Sequence, residues 1–105
     1  MPHVTFVNRF LLHAPAEEFE RVFAATSEFM AAQPGFLWHM LLRPLESDQD
    51  GRYVNVAAWR DAQAFRAAVA HPGFGPHAAA LRELATSEPA LYETRQTRTA
   101  VTEPA

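Results

Sequence analysis

The segment Tyr53-Val-Asn-Val-Ala-Ala-Trp59 constrains the fold of this chain more than any other. Val54, Val56 and Ala58 alternate with Tyr53, Asn55, Ala57 and Trp59, the period-two pattern of a β-strand. One face of that strand is wholly aliphatic. The other sets a phenol, a carboxamide and an indole among apolar neighbours. A shielded amide without hydrogen-bond partners costs about 1–3 kcal/mol. A strand built this way is expected to line a pocket where a ligand or water completes the bonding.

The remaining elements follow from spacing and punctuation. Val4 to Leu12 reads as a first strand, with Phe6, Asn8 and Phe10 on one face and Val7, Arg9 and Leu11 on the other. Pro15 suits the first turn of a helix in which Phe19, Val22, Phe23, Thr26, Phe29 and Met30 recur at helical spacing. Gln33-Pro-Gly ends it, and Phe36 to Leu45 forms a second strand, apolar on both faces. Ser47 to Gly51 is a turn-rich connection into the strand first described. Asp61 is an N-cap for a helix over Ala62 to Ala70, His71 to Pro76 interrupt it, and a helix resumes over His77 to Ala85. Leu91 to Thr97 makes a fourth strand. The order gives one domain over residues 1–97, with residues 98–105 as a flexible tail.

The order β-α-β-β-α-β is that of an α+β, ferredoxin-like split βαβ fold. It predicts a four-stranded antiparallel sheet with strands one and three adjacent and the helices on one face, since right-handed crossovers put both helices on the same side. Val7, Leu11, Leu37, Leu41, Val54 and Val56 are then expected on the other face as an apolar patch, which predicts a homodimer packed sheet against sheet.

Composition removes whole classes of function. The net charge of -3 lacks the basic balance of a nucleic-acid-binding surface. There is no Cys, and all 9 basic residues are Arg, which excludes thiolate nucleophiles, cysteine-ligated metal and lysine Schiff bases. The serines lie in no nucleophile-elbow context, and there is no glycine-rich phosphate loop. No His or carboxylate grouping has ligand spacing, so no metal is expected. No apolar run approaches the ~18 residues of a membrane span, and no secretory leader is visible, so the cytoplasm is the expected location.

Phe6-Val-Asn-Arg-Phe10, Gln33-Pro-Gly-Phe36, Leu41-Leu-Arg-Pro44, the Tyr53–Trp59 strand, Ala64-Phe65 and His71-Pro-Gly-Phe74 occur in an order and spacing that resemble the antibiotic biosynthesis monooxygenase family, within the dimeric α+β barrel superfamily. The resemblance runs from Val4 to about Thr97. It implies a small enzyme without metal or organic cofactor that oxidises an aromatic polyketide-like phenol, anthrone or hydroquinone with molecular oxygen. In quinone-forming members, an Asn four residues before a Trp on the third strand binds and polarises the substrate, and Asn55 and Trp59 match that pair. Where such members carry a Tyr six residues after the Trp, this chain has Phe65, which removes a hydroxyl from any proton relay. A related branch degrades haem with an Asn on strand one, a Trp ending strand three and an axial His; Asn8, Trp59 and His77 occupy comparable places. Haem is therefore the cofactor of the alternative reading, and a non-oxidative cyclase or binding module is a third.

Together these readings name Asn55, Trp59 and His77 as catalytic residues. Asn8, Phe6, Phe10, Phe23, Tyr53 and Phe65 are expected to bind the small aromatic substrate, with Tyr53 or His77 as proton acceptor. His39 is read as a core or interface histidine.

Overall fold

A computed structural model of the protein describes residues 3–101. The elements run β1 (Val4–Leu12), α1 (Ala16–Ala31), β2 (Phe36–Leu42), a short 3-10 turn (Ser47–Gln49), β3 (Arg52–Trp59), α2 (Ala62–Ala70), α3 (Phe74–Arg82) and β4 (Ala85–Glu93). The strands form one antiparallel sheet in the order β2-β3-β1-β4. This is the ferredoxin-like split βαβ arrangement, with β1 and β3 adjacent at the centre and the second crossover helix divided into α2 and α3.

Local chemistry sets the boundaries that position the site. Glu17 and Glu18 lie in the first turn of α1, where carboxylates complement the helix dipole. At its other end Gln33 Nε2 donates to the Phe29 carbonyl at 3.2 Å, satisfying one of the oxygens a helix end leaves free. Gly35 follows at φ +89°, a conformation other residues rarely adopt, and a Cβ there would collide with Ala64 on α2. Its carbonyl accepts from the Arg60 N–H at 2.7 Å, which ties the α1–β2 turn to the end of β3. Asp61 caps α2 by accepting from the Ala64 N–H at 2.8 Å. That bond, more than any other influence, holds its carboxyl below the usual range.

Three boundaries differ from the sequence expectation. β2 stops at Leu42 instead of Leu45, because Pro44 brings no N–H to the ladder. The second part of the crossover starts at Phe74 and ends at Arg82, not His77 to Ala85. Pro76 sits in the first turn, where its missing N–H costs nothing. β4 spans Ala85–Glu93, not Leu91–Thr97. Ala-Thr-Ser-Glu-Pro carries little strand signature of its own. It is held as an edge strand by nine-residue pairing with β1, from Val4↔Glu93 to Leu12↔Ala85, and an edge is where a strand proline such as Pro89 is tolerated. The described residues beyond Glu93 form no helix or strand, and residues 102–105 of the expected tail lie outside the described residues.

A bulge at Leu37 decides which side chains of β2 face the helices. The pairing passes from Phe36↔Trp59 directly to Trp38↔Ala58, then His39↔Ala57 and Leu41↔Asn55. An inserted residue reverses the alternation downstream of it. Phe36, His39 and Leu41 therefore share the helix side with Asn55 and Trp59, and Trp38, Met40 and Leu42 point outward. This corrects the expected placement of Leu41, which packs against the core. The outer face remains apolar: Trp38 is 47% and Met40 49% exposed, beside Leu11, Leu42, Val54 and Val56.

Two buried clusters sit under the helices. One joins Phe10, Phe19, Phe23, Tyr53 and Ala85; the other joins Ala57, Trp59, Ala64, Phe65 and Ala68. Aromatic edges interlock within the first, with Phe10 and Phe19 ring centres 5.1 Å apart and Phe19 and Tyr53 5.3 Å apart. Between the clusters the packing opens.

Candidate active site

Asn8 on β1 and Asn55 on β3 are direct cross-strand partners, with Phe6↔Ala57 next along the ladder. Directly opposed residues share a face and stand roughly 4.5–5.5 Å apart at Cβ. Two carboxamides thus lie side by side on the sheet floor. They line a cavity of about 90 Å³ between the floor and α1 and α2, walled by Phe6, Phe10, Phe23, Phe65, Phe36 and Trp59. Thr26, His39, Met30 and Val69 complete much of its surface.

The polar atoms of the floor are not all matched. Asn8 Oδ1 is fully shielded and accepts no hydrogen bond among the described residues. Asn55 is 8% exposed, and its Oδ1 lies 3.3 Å from His39 Nδ1. A carbonyl oxygen can only accept, so the imidazole carries a hydrogen on Nδ1 and donates it. With its oxygen so engaged, the amide keeps its N–H₂ as the donor available to another group. Trp59, 1% exposed, is fixed by two rings set edge-on: Phe36 at 5.3 Å and Phe65 at 5.7 Å between centres. Phe6 and Phe65 stack at 4.5 Å.

The cavity alone is below the ~300–1,000 Å³ of ordinary small-molecule pockets. It adjoins a cleft of about 600 Å³ between α3 and β4, and Phe6, Asn8, Phe10 and Phe65 line both. Arg66, Arg82 and Ser87 line the outer part. A flat molecule held at the carboxamides would extend past the Phe6–Phe65 pair into this cleft.

Seven of the nine residues named from sequence line the cavity: Asn8, Asn55, Trp59, Phe6, Phe10, Phe23 and Phe65. The other two do not. Tyr53 belongs to the buried core, and its hydroxyl donates to the Glu20 carboxylate. His77 packs its ring on Phe29 at 5.3 Å, in the contact between α1 and α3. An axial haem ligand would have to face the cavity, so His77 does not fit that role. Sequence reasoning missed His39, whose inward orientation depends on the Leu37 bulge, and Thr26, whose helical position was visible. Among the described residues no three of His, Cys, Asp and Glu come together as metal ligands. Nor is any helix among them long and apolar enough to cross a membrane.

The split βαβ sheet thus carries paired amides and an indole under aromatic walls, a small apolar pocket with a few convergent polar groups. Comparison with known proteins gives the family. The model of the antibiotic biosynthesis monooxygenase family matches residues 7–83, and the chain belongs to that family. It is 60% identical over 94 residues to a deoxynogalonate monooxygenase of Streptomyces nogalater, covering 90% of this chain and 78% of that one. The crystal structure of SnoaB, a cofactor-independent oxygenase from Streptomyces nogalater, superposes with a TM-score of 0.86 at 58% identity, covering 92% of this chain and 97% of that one. A conserved protein from Methanosarcina mazei shares the fold at 15% identity, with a TM-score of 0.79 over 90% of this chain and 95% of that one. The protein is a cofactor-independent monooxygenase.

The placement of Tyr53 has a measurable consequence. Burial, reinforced by the adjacent Glu20 carboxylate and only partly opposed by Arg43, raises its phenol above the ordinary value of 10.0. Folding therefore favours the neutral phenol. The resulting stability is complete below the unfolded value and is lost as pH rises through the folded one. The chain has no Lys and no Cys to obscure the effect, so the range to scan begins near the ordinary tyrosine value of about 10 and extends above it. Thermal melts across that range are expected to show a steeper fall in Tm for the wild type than for Tyr53→Phe. Equal slopes would contradict the assignment.

Proposed function

We propose that this monooxygenase oxidises a planar phenolic substrate of the anthrone or hydroquinone type, aromatic polyketide-like in shape, at a ring methylene or electron-rich ring carbon. The observation that carries the reading is the pair of carboxamides on an otherwise apolar floor, one with a shielded oxygen that has no partner among the described residues. A hydroxylated aromatic supplies what that floor lacks. Its O–H donates to Asn8 Oδ1, and its neighbouring oxygen accepts from the Asn55 amide. The rings lie between aromatic walls that contribute dispersion and exclude water. Deoxynogalonate, for which one relative is named, is the first substrate to try.

The substrate provides the electrons. Once it has lost a proton, the enolate oxygen carries the charge, and the fixed Asn55 dipole stabilises that charge without reorganising. The carbanionic carbon and molecular oxygen form a C–O bond, and protonation gives a hydroperoxide. Loss of water then leaves a carbonyl. One oxygen atom ends in the quinone and the other in water, so a methylene and O₂ become C=O and H₂O. Trp59, with Phe65 at its edge, forms the wall against which the substrate ring is held.

The apolar outer face supports a homodimer formed sheet to sheet, with Trp38, Met40 and Leu42 at its centre. The reading places this dimer in the cytoplasm.

Oxygen uptake with a dihydroxyanthrone tests the proposal. The wild type is expected to accelerate quinone formation well above the spontaneous rate, with chelators having no effect. Asn55→Ala is expected to lower kcat about 10²–10³-fold, as loss of an oxyanion donor does elsewhere. Asn8→Leu removes a shielded, unpartnered acceptor, so it is expected to keep or raise stability by roughly 1 kcal/mol in urea titrations while losing turnover. Oxidation no faster than the blank, or indifferent to both variants, would contradict the reading. Sedimentation equilibrium is expected to give twice the chain mass for the wild type and the chain mass for a Trp38→Glu, Met40→Glu variant; a monomeric wild type would contradict the dimer.

A further inference from the structure

The oxidation proposed above begins with loss of a substrate proton, and the two groups that sequence offers as acceptors, Tyr53 and His77, do not line the cavity. Among the described residues that do, His39 is the one titratable side chain; the rest are aromatic, aliphatic, thioether, hydroxyl and carboxamide groups. The geometry points to His39 as the catalytic general base of this reaction, an assignment that rests on the substrate class proposed above.

Three features of the site support this role. Imidazole is the side chain that changes charge near neutral pH, where a general base works best. Its Nδ1–H is committed to Asn55 Oδ1 at 3.3 Å, which fixes the tautomer and leaves the Nε2 lone pair on the opposite edge of the ring free to accept a proton. A base oriented by a third group is the recurring arrangement in proton-transfer sites. The ring is also held in place, with Phe23 from α1 at 5.9 Å and Phe36 on β2 at 6.3 Å between centres. Phe23 on α1, Phe36 on β2 and Asn55 on β3, which meet the imidazole, carry no charge, and the titratable pair on the same face of β3 and from α1 is Tyr53 with Glu20, bonded to each other.

The proton inventory then closes. His39 Nε2 takes a proton from the substrate methylene, and the C–H electron pair moves onto the conjugated oxygen as an enolate. The Asn55 N–H donates to that oxygen. Molecular oxygen is the oxidant: it bonds to the carbon, and the proton held by His39 converts the peroxide anion to the hydroperoxide. That transfer restores neutral His39, and the hydroperoxide then loses its remaining C–H proton together with hydroxide as water, leaving the carbonyl. One hydrogen bond thus serves two purposes, orienting the amide that stabilises the charge and the imidazole that creates it.

Two measurements test the assignment. His39→Gln keeps an N–H for Asn55 but has no basic lone pair. With a dihydroxyanthrone near neutral pH, its kcat is expected to fall about 10²–10⁴-fold, the range for general acid–base catalysis, with KM within about threefold of wild type. At a pH above the anthrone's own ionisation, the substrate arrives as its enolate and the two enzymes are expected to converge. A variant within about threefold of wild type near neutrality, or a deficit undiminished on the ionised substrate, overturns the assignment. Nitrogen NMR of wild-type His39, assigned by difference from the variant, is expected to show the Nδ1–H tautomer. An Nε2–H tautomer overturns the proposal even if no anthrone is turned over, a result that would by itself count against the substrate class alone.

Discussion

The register between β1 and β3 governs everything that this molecule can do. Asn8 stands opposite Asn55, and Phe6 opposite Ala57, because the two central strands are locked along eight paired positions from Val4↔Trp59 to Leu11↔Arg52. Side chains alternate strictly across a sheet, so a slip of β1 by one residue would turn Val7 and Arg9 toward the helices and expel Asn8 from beside Asn55. The aromatic cluster of Phe10, Phe19, Phe23 and Tyr53 buries one end of this ladder, and Trp59 with Phe65 the other. These two cores hold the register. The cavity is the space left where they fail to meet.

Polarity at that gap works against folding. A shielded, unpartnered Asn8 Oδ1 costs the fold on the order of 1–3 kcal/mol, and an apolar residue would fill the same place more comfortably. Local rules give way at functional sites for this reason: the site is matched to a bound molecule rather than to the free protein. The same logic explains the aromatic walls. Their flat faces suit a planar ring system, and they shield the amide dipoles from bulk solvent that would weaken them.

Much of this was legible in the chain. Alternation in Tyr53–Trp59 and Val4–Leu12 placed Asn55, Trp59 and Asn8 on the correct face, because period two survives as long as a strand is regular. His39 was not legible. Its side is set by a bulge at Leu37, and nothing in Phe36-Leu-Trp-His-Met marks an extra residue. His77 misled for the opposite reason: its place in the chain order was right, yet α3 begins three residues earlier than expected, and the imidazole meets Phe29 instead of the cavity. Tyr53 alternates correctly with Asn55, but helix α1 crosses above it and supplies Glu20 to its hydroxyl. A strand pattern tells which face a residue takes; it does not tell what lies over that face.

The most direct test is a crystal structure of the protein with a dihydroxyanthraquinone, the stable product-like ligand. Its oxygens are predicted to lie at hydrogen-bond distance, about 2.6–3.2 Å, from Asn8 and Asn55, with the ring plane inside the Phe6, Phe65 and Trp59 walls. A ligand bound only in the outer cleft near Arg66 and Arg82, with both carboxamides untouched, would contradict the account.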